Sequence, residues 1–513
     1  MKHKRLWRII RQILGASTFI LITLLFLDFS GVLHKYLSFL AKMQFIAAFM
    51  TASVTSVVIL IAILAVTLVF GRVYCSVVCP MGIFQDGMAR LGRIGRKNPY
   101  SYSKAKNILR YSILVVFIVV CSMAGFAGLA SLIEPYSAYG RIAQNLFQPV
   151  YLWCNNLLAL IAERANSYAF YEKEVWIRSI PTFVIAAVTF VAIGFLAIRN
   201  GRTYCNTICP VGSILGLFSR FSLLKMHIDE EKCVGCDLCT KNCKASCING
   251  KEHLLDYSRC VMCGDCMAQC PQEAIDYKHI KWTSEFAQKR AEDAKVTEQK
   301  PEKVDEGKRA FTLTSLMLLA GAATAQTKVK LDGGLAKIED KVEPKRGTPI
   351  VPPGAHSLKD FTRRCTACQL CVSKCPNDVL RPSNELTTLM QPRMSFEKGA
   401  CRVECTACSE VCPTGAISLI TKEEKSAIKI GHAVWVQQNC VTVTDKVECG
   451  NCARHCPSEA IMMLPSDPND ESSAKRPVVN ENKCIGCGMC EYVCPSRPYP
   501  AIFVVGEEEH EMI

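Results

Sequence analysis

The 513-residue sequence combines a high apolar content with many cysteines. Half of its residues are hydrophobic, the mean hydropathy is +0.17, and 31 residues are cysteine. The chain is too long for one ordinary domain, and its apolar content predicts membrane segments beside soluble domains. The formal net charge of +14 lies largely next to apolar segments, as expected for a membrane protein, which argues against nucleic-acid binding.

Four apolar segments are long enough to cross about 30 Å of hydrocarbon. They run from about residue 13 to 33, 45 to 70, 108 to 133 and 180 to 198. Many basic residues lie before the first segment and between the second and third, whereas the loop after the first contains only Lys35 and Lys42. The positive-inside rule therefore predicts a multi-pass protein of the bacterial inner membrane. Its N-terminus and residues 199–309 would be cytoplasmic, and its first segment a retained anchor.

A twelve-residue string occurs once after the second apolar segment and once after the fourth. The copies are GRVYCSVVCPMG at 71–82 and GRTYCNTICPVG at 201–212. If the two helical hairpins are related by a pseudo-twofold axis, four cysteines come together: Cys75, Cys79, Cys205 and Cys209. Four thiolates could hold a metal ion or an additional iron–sulfur centre. The alternatives are redox-active cysteines and purely structural ones.

The stretch from residue 233 to 271 contains two runs with the cysteine spacing of [4Fe–4S] ferredoxins, in which the fourth cysteine of each run completes the other cluster. The predicted ligands are Cys233, Cys236, Cys239 and Cys270 for one cluster, and Cys260, Cys263, Cys266 and Cys243 for the other. Zinc is disfavoured because triplets followed by Cys-Pro differ from the two cysteine pairs of a zinc site. Cluster spacing also argues against a disulfide scaffold.

The apolar segments, the repeated string and the two ferredoxin runs resemble NapH, the membrane quinol dehydrogenase component of periplasmic nitrate reduction, and its polyferredoxin relatives. The resemblance covers about residues 1–282, and the GRxYCxxxCP string is its most specific part. This sequence departs from the pattern after Cys243, where Lys244 replaces the usual proline. Because Cys247 is an additional cysteine, either Cys243 or Cys247 could be the ligand.

The resemblance implies a quinol as substrate, and ionisable groups at a membrane edge could accept its protons. Asp28 and His34 lie at the periplasmic end of the first apolar segment, and Glu134 and Tyr136 at the matching end of the third. These four residues are the candidates for quinol and proton chemistry. The alternative is that they cap helices or anchor them at the interface.

Residues 284–356 are predicted to be a linker that contains a short apolar segment at 311–325. Lys308 and Arg309 precede this segment, and an Ala323-Thr324-Ala325 site ends it, so that it resembles a twin-arginine export signal. The resemblance implies a periplasmic C-terminal domain that folds before export. The alternative is a membrane-associated or buried helix that leaves this domain in the cytoplasm.

Sixteen cysteines of the C-terminal part form four groups, each ending in Cys-Pro, and predict four more [4Fe–4S] clusters. The groups are Cys365, Cys368, Cys371 and Cys375; Cys401, Cys405, Cys408 and Cys412; Cys440, Cys449, Cys452 and Cys456; and Cys484, Cys487, Cys490 and Cys494. Residues 308–505 resemble NapG, the four-cluster partner of NapH. By analogy with four-cluster electron-transfer subunits, the first group would exchange its fourth cysteine with the last group, and the two middle groups with each other. Adjacent pairing is the alternative.

The predicted architecture is an α-helical membrane domain followed by α+β ferredoxin-like domains. Four transmembrane helices would occupy residues 1–222, a two-cluster domain 223–283, the linker 284–356 and a four-cluster domain 357–513. The apolar segment at 311–325 could add a short fifth transmembrane helix. Six predicted clusters use 24 of the 31 cysteines.

The sequence contains no nucleotide fingerprint, flavin-attachment pattern or haem-binding motif, which indicates electron transfer without a terminal substrate site. The predicted function is to relay electrons from the quinone pool to a periplasmic reductase or cytochrome, with nitrate reduction implied by resemblance alone. An assembly or regulatory polyferredoxin for a respiratory metalloenzyme, or a cytoplasmic electron-transfer module, is the alternative. Because cluster potentials span about −700 to +450 mV, the direction of electron flow stays open.

Overall fold

The computed structural model describes residues 2–28, 33–51, 53–94, 100–122, 127–167, 169–279, 339–467, 469–470 and 473–513. The described residues up to His279 and from Val342 onward form one compact unit. Residues 280–341 are a separate unit, of which only 339–341 are described. The signal-like segment at 311–325 therefore lies outside the described residues.

The N-terminal part of the compact unit is helical. Its long helices are α1 (Lys2–Leu27), α4 (Val54–Phe70), α7 (Asn107–Ser122) and α11 (Ile180–Asn200). Shorter helices connect them: α2 (His34–Lys42), α3 (Phe45–Thr51), α5 (Tyr74–Val77), α6 (Pro80–Leu91), α8 (Ala127–Ala130), α9 (Pro135–Ile142), a π-helix (Ala143–Phe147) and α10 (Gln148–Arg164). After α11 come α12 (Thr203–Thr207) and α13 (Pro210–Ser219).

The long helices differ from the predicted spans in length. Among the described residues, two helices, Leu6–Leu27 and Ile180–Asn200, are long and apolar enough to cross a membrane. Helices α4 and α7 are apolar but have only 17 and 16 residues. The predicted span 45–70 is divided because the Ser53 side chain caps a new helix, accepting a hydrogen bond from the backbone N–H of Ser56. The predicted span 108–133 is wrong at its end, since α7 ends at Ser122.

Each repeated string begins with a glycine that ends a long helix. Gly71 follows α4 with a φ of 75°, and Gly201 follows α11 with a φ of 67°. Residues with side chains rarely adopt this left-handed region, which explains glycine at both positions. After each glycine, the backbone enters a short helix, α5 or α12, that contains the first cysteine of the string.

The two-cluster region lies at one end of the long helices. It contains β1 (Leu224–Ile228), α14 (Leu238–Asn242), β2 (Ile248–Asn249), β3 (Leu254–Leu255), α15 (Asp265–Gln269) and β4 (Ile275–His279). Strand β1 pairs antiparallel with β4, and β2 with β3. The Tyr277 ring stacks on Trp7 of α1, and its hydroxyl donates a hydrogen bond to the Phe70 carbonyl at the end of α4. The backbone N–H of Arg202, just after α11, donates to the Lys244 carbonyl at 2.7 Å.

The four-cluster region contains α16 (Leu358–Arg364), α17 (Leu370–Lys374), β5 (Leu380–Pro382), β6 (Pro392–Met394), α18 (Ala407–Val411), α19 (Lys422–Ala427) and β7 (Ile428–Trp435). A 3-10 turn (Gln437–Asn439) leads to α20 (Val441–Thr444), α21 (Asn451–Arg454), β8 (Ile461–Pro465), β9 (Lys475–Val479), α22 (Met489–Val493) and β10 (Ile502–Met512). The antiparallel pairs are β5 with β6, β7 with β10 and β8 with β9.

This region contacts the opposite ends of the long helices. Lys374 forms a buried ion pair with Asp28, just after α1, with 2.9 Å between Nζ and Oδ2. Two further hydrogen bonds join the same ends: Thr51 to the Pro413 carbonyl, and Ser179 to the Asn384 side chain. One hydrophobic core continues from the helices into this region. The long helices therefore have a ferredoxin region at each end.

The four-cluster region begins earlier than predicted. The backbone N–H of Val342 donates to the Pro498 carbonyl, and Arg346 forms a buried ion pair with Glu491. Residues from 342 onward thus pack with the four-cluster region, and the predicted linker boundary at 356 is wrong by about fourteen residues. The apolar residues at 342–356 do not recur with helical or strand periodicity, so nothing in the sequence indicated these contacts.

Candidate iron–sulfur sites

The first cysteine set of the two-cluster region surrounds a small cavity. Its lining includes Cys233, Cys236, Cys239 and Cys270, the predicted ligands, with Cys270 contributed by the second run. Among the described residues, no three His, Cys, Asp or Glu side chains are arranged to hold a single metal ion. A space enclosed by four cysteines fits a [4Fe–4S] cube, whose corners need separated thiolates.

The second set contains five cysteines, because Cys247 lies beside Cys243 with 3.6 Å between their sulfur atoms. A hydrogen bond from Cys247 lowers the pKa of Cys243 to about 7, whereas the same contact raises the pKa of Cys247. Cys243 is also in electrostatic contact with Cys263 and Cys266. Cys247 contacts Cys260 as well as Cys243, so both cysteines lie at this set, and the contacts of Cys243 with Cys263 and Cys266 favour Cys243 as the ligand.

The four C-terminal groups exchange cysteines between neighbours in sequence. One cavity is lined by Cys375 with Cys401, Cys405 and Cys408, and another by Cys456 with Cys484, Cys487 and Cys490. The remaining contacts complete two further sets: Cys412 with Cys365, Cys368 and Cys371, and Cys494 with Cys440, Cys449 and Cys452. We number the four sets by the cysteine that completes each: the first by Cys412, the second by Cys375, the third by Cys456 and the fourth by Cys494.

The predicted nested pairing is therefore wrong, and the adjacent pairing is correct. The short helices that precede the fourth cysteines explain the exchange. Helix α17 packs against α18, and α21 packs against α22. Each helix pair carries its terminal cysteines to the neighbouring set, so local packing determines the pairing.

A backbone N–H donates to the last cysteine of every C-terminal group. The donors are Val379 to Cys375, Ile417 to Cys412, Ala460 to Cys456 and Ala501 to Cys494, at 3.2 to 3.4 Å. Cys401 has a charged donor in addition, because Nζ of the buried Lys425 lies 3.3 Å from its sulfur atom. Hydrogen bonds to ligand sulfur favour the thiolate and tune a bound cluster, so these donors fit the predicted cofactor.

The repeated strings bring their four cysteines together in the buried interior: Cys75, Cys79, Cys205 and Cys209. Burial and neighbouring thiols raise the pKa values of Cys79 and Cys209. Gln85 donates to the sulfur of Cys205 at 3.1 Å, and the backbone N–H of Gly212 to that of Cys209 at 3.3 Å. We call these four residues the paired-string site.

Two fully buried arginines connect the strings reciprocally. Arg72 of the first string donates to the Cys205 carbonyl, and Arg202 of the second donates to the Cys75 carbonyl. Arg202 also pairs with Asp86 at 2.7 Å, whereas Arg72 forms no ion pair with the described residues. A buried guanidinium without a carboxylate partner is costly, and thiolates at the paired-string site would compensate its charge.

The paired-string site lies next to the second cysteine set of the two-cluster region. Arg72 donates to the Ser258 carbonyl at 2.9 Å, two residues before Cys260. Arg110 of α7 donates to the same carbonyl and to the Ser258 hydroxyl. Arg202 reaches the Lys244 carbonyl, adjacent to Cys243, through its own backbone N–H. Single residues thus connect the two sites.

On its other side, the paired-string site faces α9. Tyr204 donates a hydrogen bond to the Ile133 carbonyl at 2.7 Å, immediately before this helix. The Cys368 carbonyl lies so close to Gly140 of α9 that a Cβ there would be 2.3 Å from it. Helix α9 therefore separates the paired-string site from the first cysteine set of the four-cluster region.

The cysteine sets continue in a row through the four-cluster region. The backbone N–H of Cys401 donates to the Cys487 carbonyl at 3.0 Å, which joins the second and third sets. Cys490 of the third set is in electrostatic contact with Cys452 of the fourth. The described residues therefore contain a continuous succession of sites from Cys233 to Cys449.

The predicted quinol residues have structural contacts. Asp28 pairs with Lys374, and the Glu134 carboxylate caps α9 by accepting from the Tyr136 backbone N–H at 3.0 Å. Glu134 and Tyr136 are 3% and 2% exposed, so they are enclosed by protein, and their predicted place at a membrane edge stays a prediction. They are buried because Pro135–Ile142 folds back among the helices. His34 begins α2, and the role of all four residues in quinol chemistry stays a prediction.

Family comparisons agree with the cysteine sets. A 4Fe-4S dicluster domain family matches residues 364–417, which contain the first two C-terminal groups. A second such family matches 447–497, which contain the last two groups except Cys440. A 4Fe-4S binding domain family matches residues 253–276. Another 4Fe-4S binding domain family matches 53–99 and 180–228, which contain the two repeated strings. No solved structure matches the chain.

Curated relatives match parts of the chain. Ferredoxin-type protein NapG of Escherichia coli is 32% identical over 190 residues, which cover 34% of this chain and 81% of NapG. The chain belongs to the NapG and MauM family of ferredoxin-type proteins. The methylamine utilization ferredoxin-type protein MauM of Methylobacillus flagellatus is 32% identical, over 29% of this chain and 64% of MauM. An uncharacterized protein of Methanocaldococcus jannaschii is 36% identical, over 17% of this chain and 34% of its own length.

Membership in the NapG and MauM family identifies an iron–sulfur protein of ferredoxin type with a role in electron transfer.

The sequence motifs indicated the cysteines of these sites but not the residues that form hydrogen bonds and ion pairs around them. Arg72 and Arg202 lie inside the repeated string, so the repeat itself was a signal that could have revealed them. Asp86 and Lys425 had no such signal, because they reach the sites through tertiary contacts.

Proposed function

We propose that this protein is a membrane quinol dehydrogenase that relays electrons from the quinone pool, through iron–sulfur clusters on both sides of the membrane, to a periplasmic acceptor. One observation carries the proposal. The two-cluster and four-cluster regions contact opposite ends of the same long helices, and the paired-string site lies between them. This arrangement provides a path for the membrane crossing that a relay with clusters on both sides requires.

The surface of the helices supports a membrane location. Helices α1, α4, α7 and α11 expose many large apolar side chains, including Ile13, Val58, Val116 and Val188, each more than half exposed. Apolar surface of this extent is rare on soluble monomers and is normal against lipid. Arg8 of α1, Arg93 and Arg110 contact the two-cluster region, which supports a cytoplasmic position for that region.

The cysteine sets support a load of six [4Fe–4S] clusters, with the paired-string site as an additional centre. A bound [4Fe–4S] cluster accepts and releases one electron at a time. The protein residues hold the thiolates, exclude water and donate hydrogen bonds to sulfur. Arg72 and Arg202 compensate negative charge in the low-dielectric interior, where an unpaired thiolate would otherwise be costly.

The two ferredoxin regions contact opposite ends of the long helices, which favours this relay over an electron-transfer module that lies in the cytoplasm alone. The acceptor is proposed to be a reductase or cytochrome that docks near the fourth set of the four-cluster region. There Val443 of α20 and Val447 in the loop before Cys449 are exposed, and apolar side chains are common in docking surfaces.

The test uses the full-length protein in proteoliposomes with oriented insertion. A reduced naphthoquinol is supplied in the membrane, and a membrane-impermeant ferricyanide acceptor is added only on the side of the four-cluster region. We expect quinol-dependent ferricyanide reduction, lost in C205S and retained in C154S, whose cysteine is exposed on α10. Equal reduction by C205S, or reduction only from the two-cluster side, would contradict the relay.

A further inference from the structure

A large groove lies between α1 and α6, on the half of the helices nearest the two-cluster region. Its volume is about 880 Å³, within the usual range of about 300–1,000 Å³ for small-molecule sites. Gly15, Ala16 and Phe19 of α1 and Ile83 and Phe84 of α6 provide an apolar wall. The groove therefore suits a ligand with a hydrophobic tail.

The deep end of the groove is polar and charged. Asp86 lies among Arg11, Lys244 and Arg202, with oxygen-to-nitrogen distances of 3.1, 2.9 and 2.7 Å. Burial would raise the pKa of Asp86, but the three cations hold it well below its usual range, so the carboxylate is ionised. Arg11 is 5% exposed, and its Nε has no hydrogen-bond partner among the described residues. Donors and an acceptor thus line the same end.

This polar end adjoins residues of two cysteine sites. Ser76, next to Cys75 of the paired-string site, lines the groove. Lys244 and Asp265, next to Cys243 and Cys266 of the second cluster set, line it as well. A ligand bound here would therefore lie beside both sites, which is the position that a redox-active ligand requires.

From these contacts, and resting on the proposed function, we propose that the groove between α1 and α6 binds the headgroup and first isoprenoid units of a membrane quinol. A quinol hydroxyl can donate to the Asp86 carboxylate, and a quinone oxygen can accept from Arg11 or Lys244. The isoprenoid units would lie along the apolar wall and leave sideways into lipid. Because Arg8, Arg90 and Arg93 also line the groove, an anionic phospholipid headgroup is the competing ligand, and the position beside both cysteine sites favours the quinol.

The structure offers a way to fill the groove without disturbing the backbone. A Cβ on Gly87 would meet no atom within 4 Å, so G87W directs an indole into open space. A16W fills the facing wall of α1 and is the second variant in case G87W does not fold. The matched control is I13W, because Ile13 is 59% exposed on the same helix and does not line the groove.

The experiment labels the full-length protein in nanodiscs with a photoreactive decyl-naphthoquinone and maps the labelled peptides. We expect label on α1 or α6, a loss of at least tenfold in G87W and A16W, and parental labelling in I13W. Iron content equal to the parent ensures that folding and cluster loading are intact. Label elsewhere, label unaffected in both filled variants, or label displaced by excess anionic phospholipid but not by unlabelled quinone would overturn the proposal.

A second measurement separates failure of the site from failure of the proposed function. Each variant is reduced with reduced naphthoquinol and, separately, with dithionite, which needs no quinol site. We expect quinol-dependent reduction to fall at least tenfold in the filled variants while dithionite reduction is unchanged. If quinol reduces the filled variants at the parental rate, this site is rejected and the proposed function is not affected. If quinol does not reduce the parent protein, both the site and the proposed function are rejected.

Discussion

The buried Lys425 side chain lies beside the cysteine set that contains Cys401. Removal of its positive charge should lower the reduction potential of the cluster bound there. Its Nζ lies 3.3 Å from the Cys401 sulfur and also donates to the carbonyls of Arg402 and Cys405. Reduction adds negative charge to a cluster, so a nearby cation stabilises the reduced form more than the oxidised form. K425M should therefore make this cluster harder to reduce.

The magnitude follows from the strength of a charged hydrogen bond. Such a bond contributes about 1.5–3 kcal/mol, and for one electron about 1.4 kcal/mol corresponds to 59 mV. The expected shift in K425M is therefore downward by about 60–130 mV, provided that most of this energy distinguishes the two redox states. K425Q retains a donor without the charge and should shift the potential by a smaller amount.

The assay is a redox titration of the full-length protein followed by electron paramagnetic resonance. K422M is the matched control, since Lys422 is exposed on the same helix and should leave all potentials unchanged. Iron quantitation must show parental loading, because K425M also removes the hydrogen bonds that Lys425 donates to the carbonyls of Arg402 and Cys405. An unchanged or higher potential in a fully loaded K425M protein would refute the reasoning.

Three other changes have expected outcomes. D28N should destabilise the protein by about 3–5 kcal/mol in chemical unfolding, because it leaves the Lys374 ammonium buried without its carboxylate, and D28L/K374M should recover most of the loss; equal stability of D28N and the parent would count against the ion pair. G212A should cost about 3 kcal/mol or more and lower the melting temperature, since its Cβ would lie 2.1 Å from a carbonyl oxygen, whereas G87A should melt like the parent. C412S should remove the cluster of the first C-terminal group, with loss of about four irons and of its resonance signal, while loss of the third group's signal instead would restore the nested pairing.

The cysteine ligands could be predicted from sequence because cluster loops impose short, fixed spacings. The exchange between Cys270 and the first run followed from that spacing alone and agrees with the cavity that the four cysteines line. The pairing of the C-terminal groups could not be predicted in this way, since every group has the same local pattern. The packing of α17 on α18 determines it, and this contact joins residues more than thirty positions apart.

The path through the helices was harder to predict. Hydropathy located the long helices, but it gave no indication that Pro135–Ile142 would fold back into the interior as α9. A sequence of small and aromatic residues with Arg141 is typical of a surface helix as much as of a buried one. Its close contact with Cys368 arises because Gly140 lets the backbone approach, a tertiary requirement that one sequence alone does not reveal.

The groove between α1 and α6 also depended on tertiary structure. Asp86, Arg11 and Lys244 are far apart in sequence, and each alone is typical of a solvated charge near a membrane edge. The candidates chosen from sequence, Asp28 and Glu134, were ionisable residues beside apolar segments. Both have structural partners, which shows that position along a predicted span does not distinguish a cap or an ion pair from a ligand-binding residue.

The central claim is that the paired-string site connects the two ferredoxin regions, and freeze-quench electron paramagnetic resonance of C75A/C205A tests it most directly. The full-length variant is mixed with reduced naphthoquinol, and reduction of the N-terminal and C-terminal clusters is followed separately. The account predicts that the two-cluster region is reduced as in the parent while the four-cluster region stays oxidised, with dithionite still reducing both. Reduction of the four-cluster region by quinol at the parental rate would contradict it.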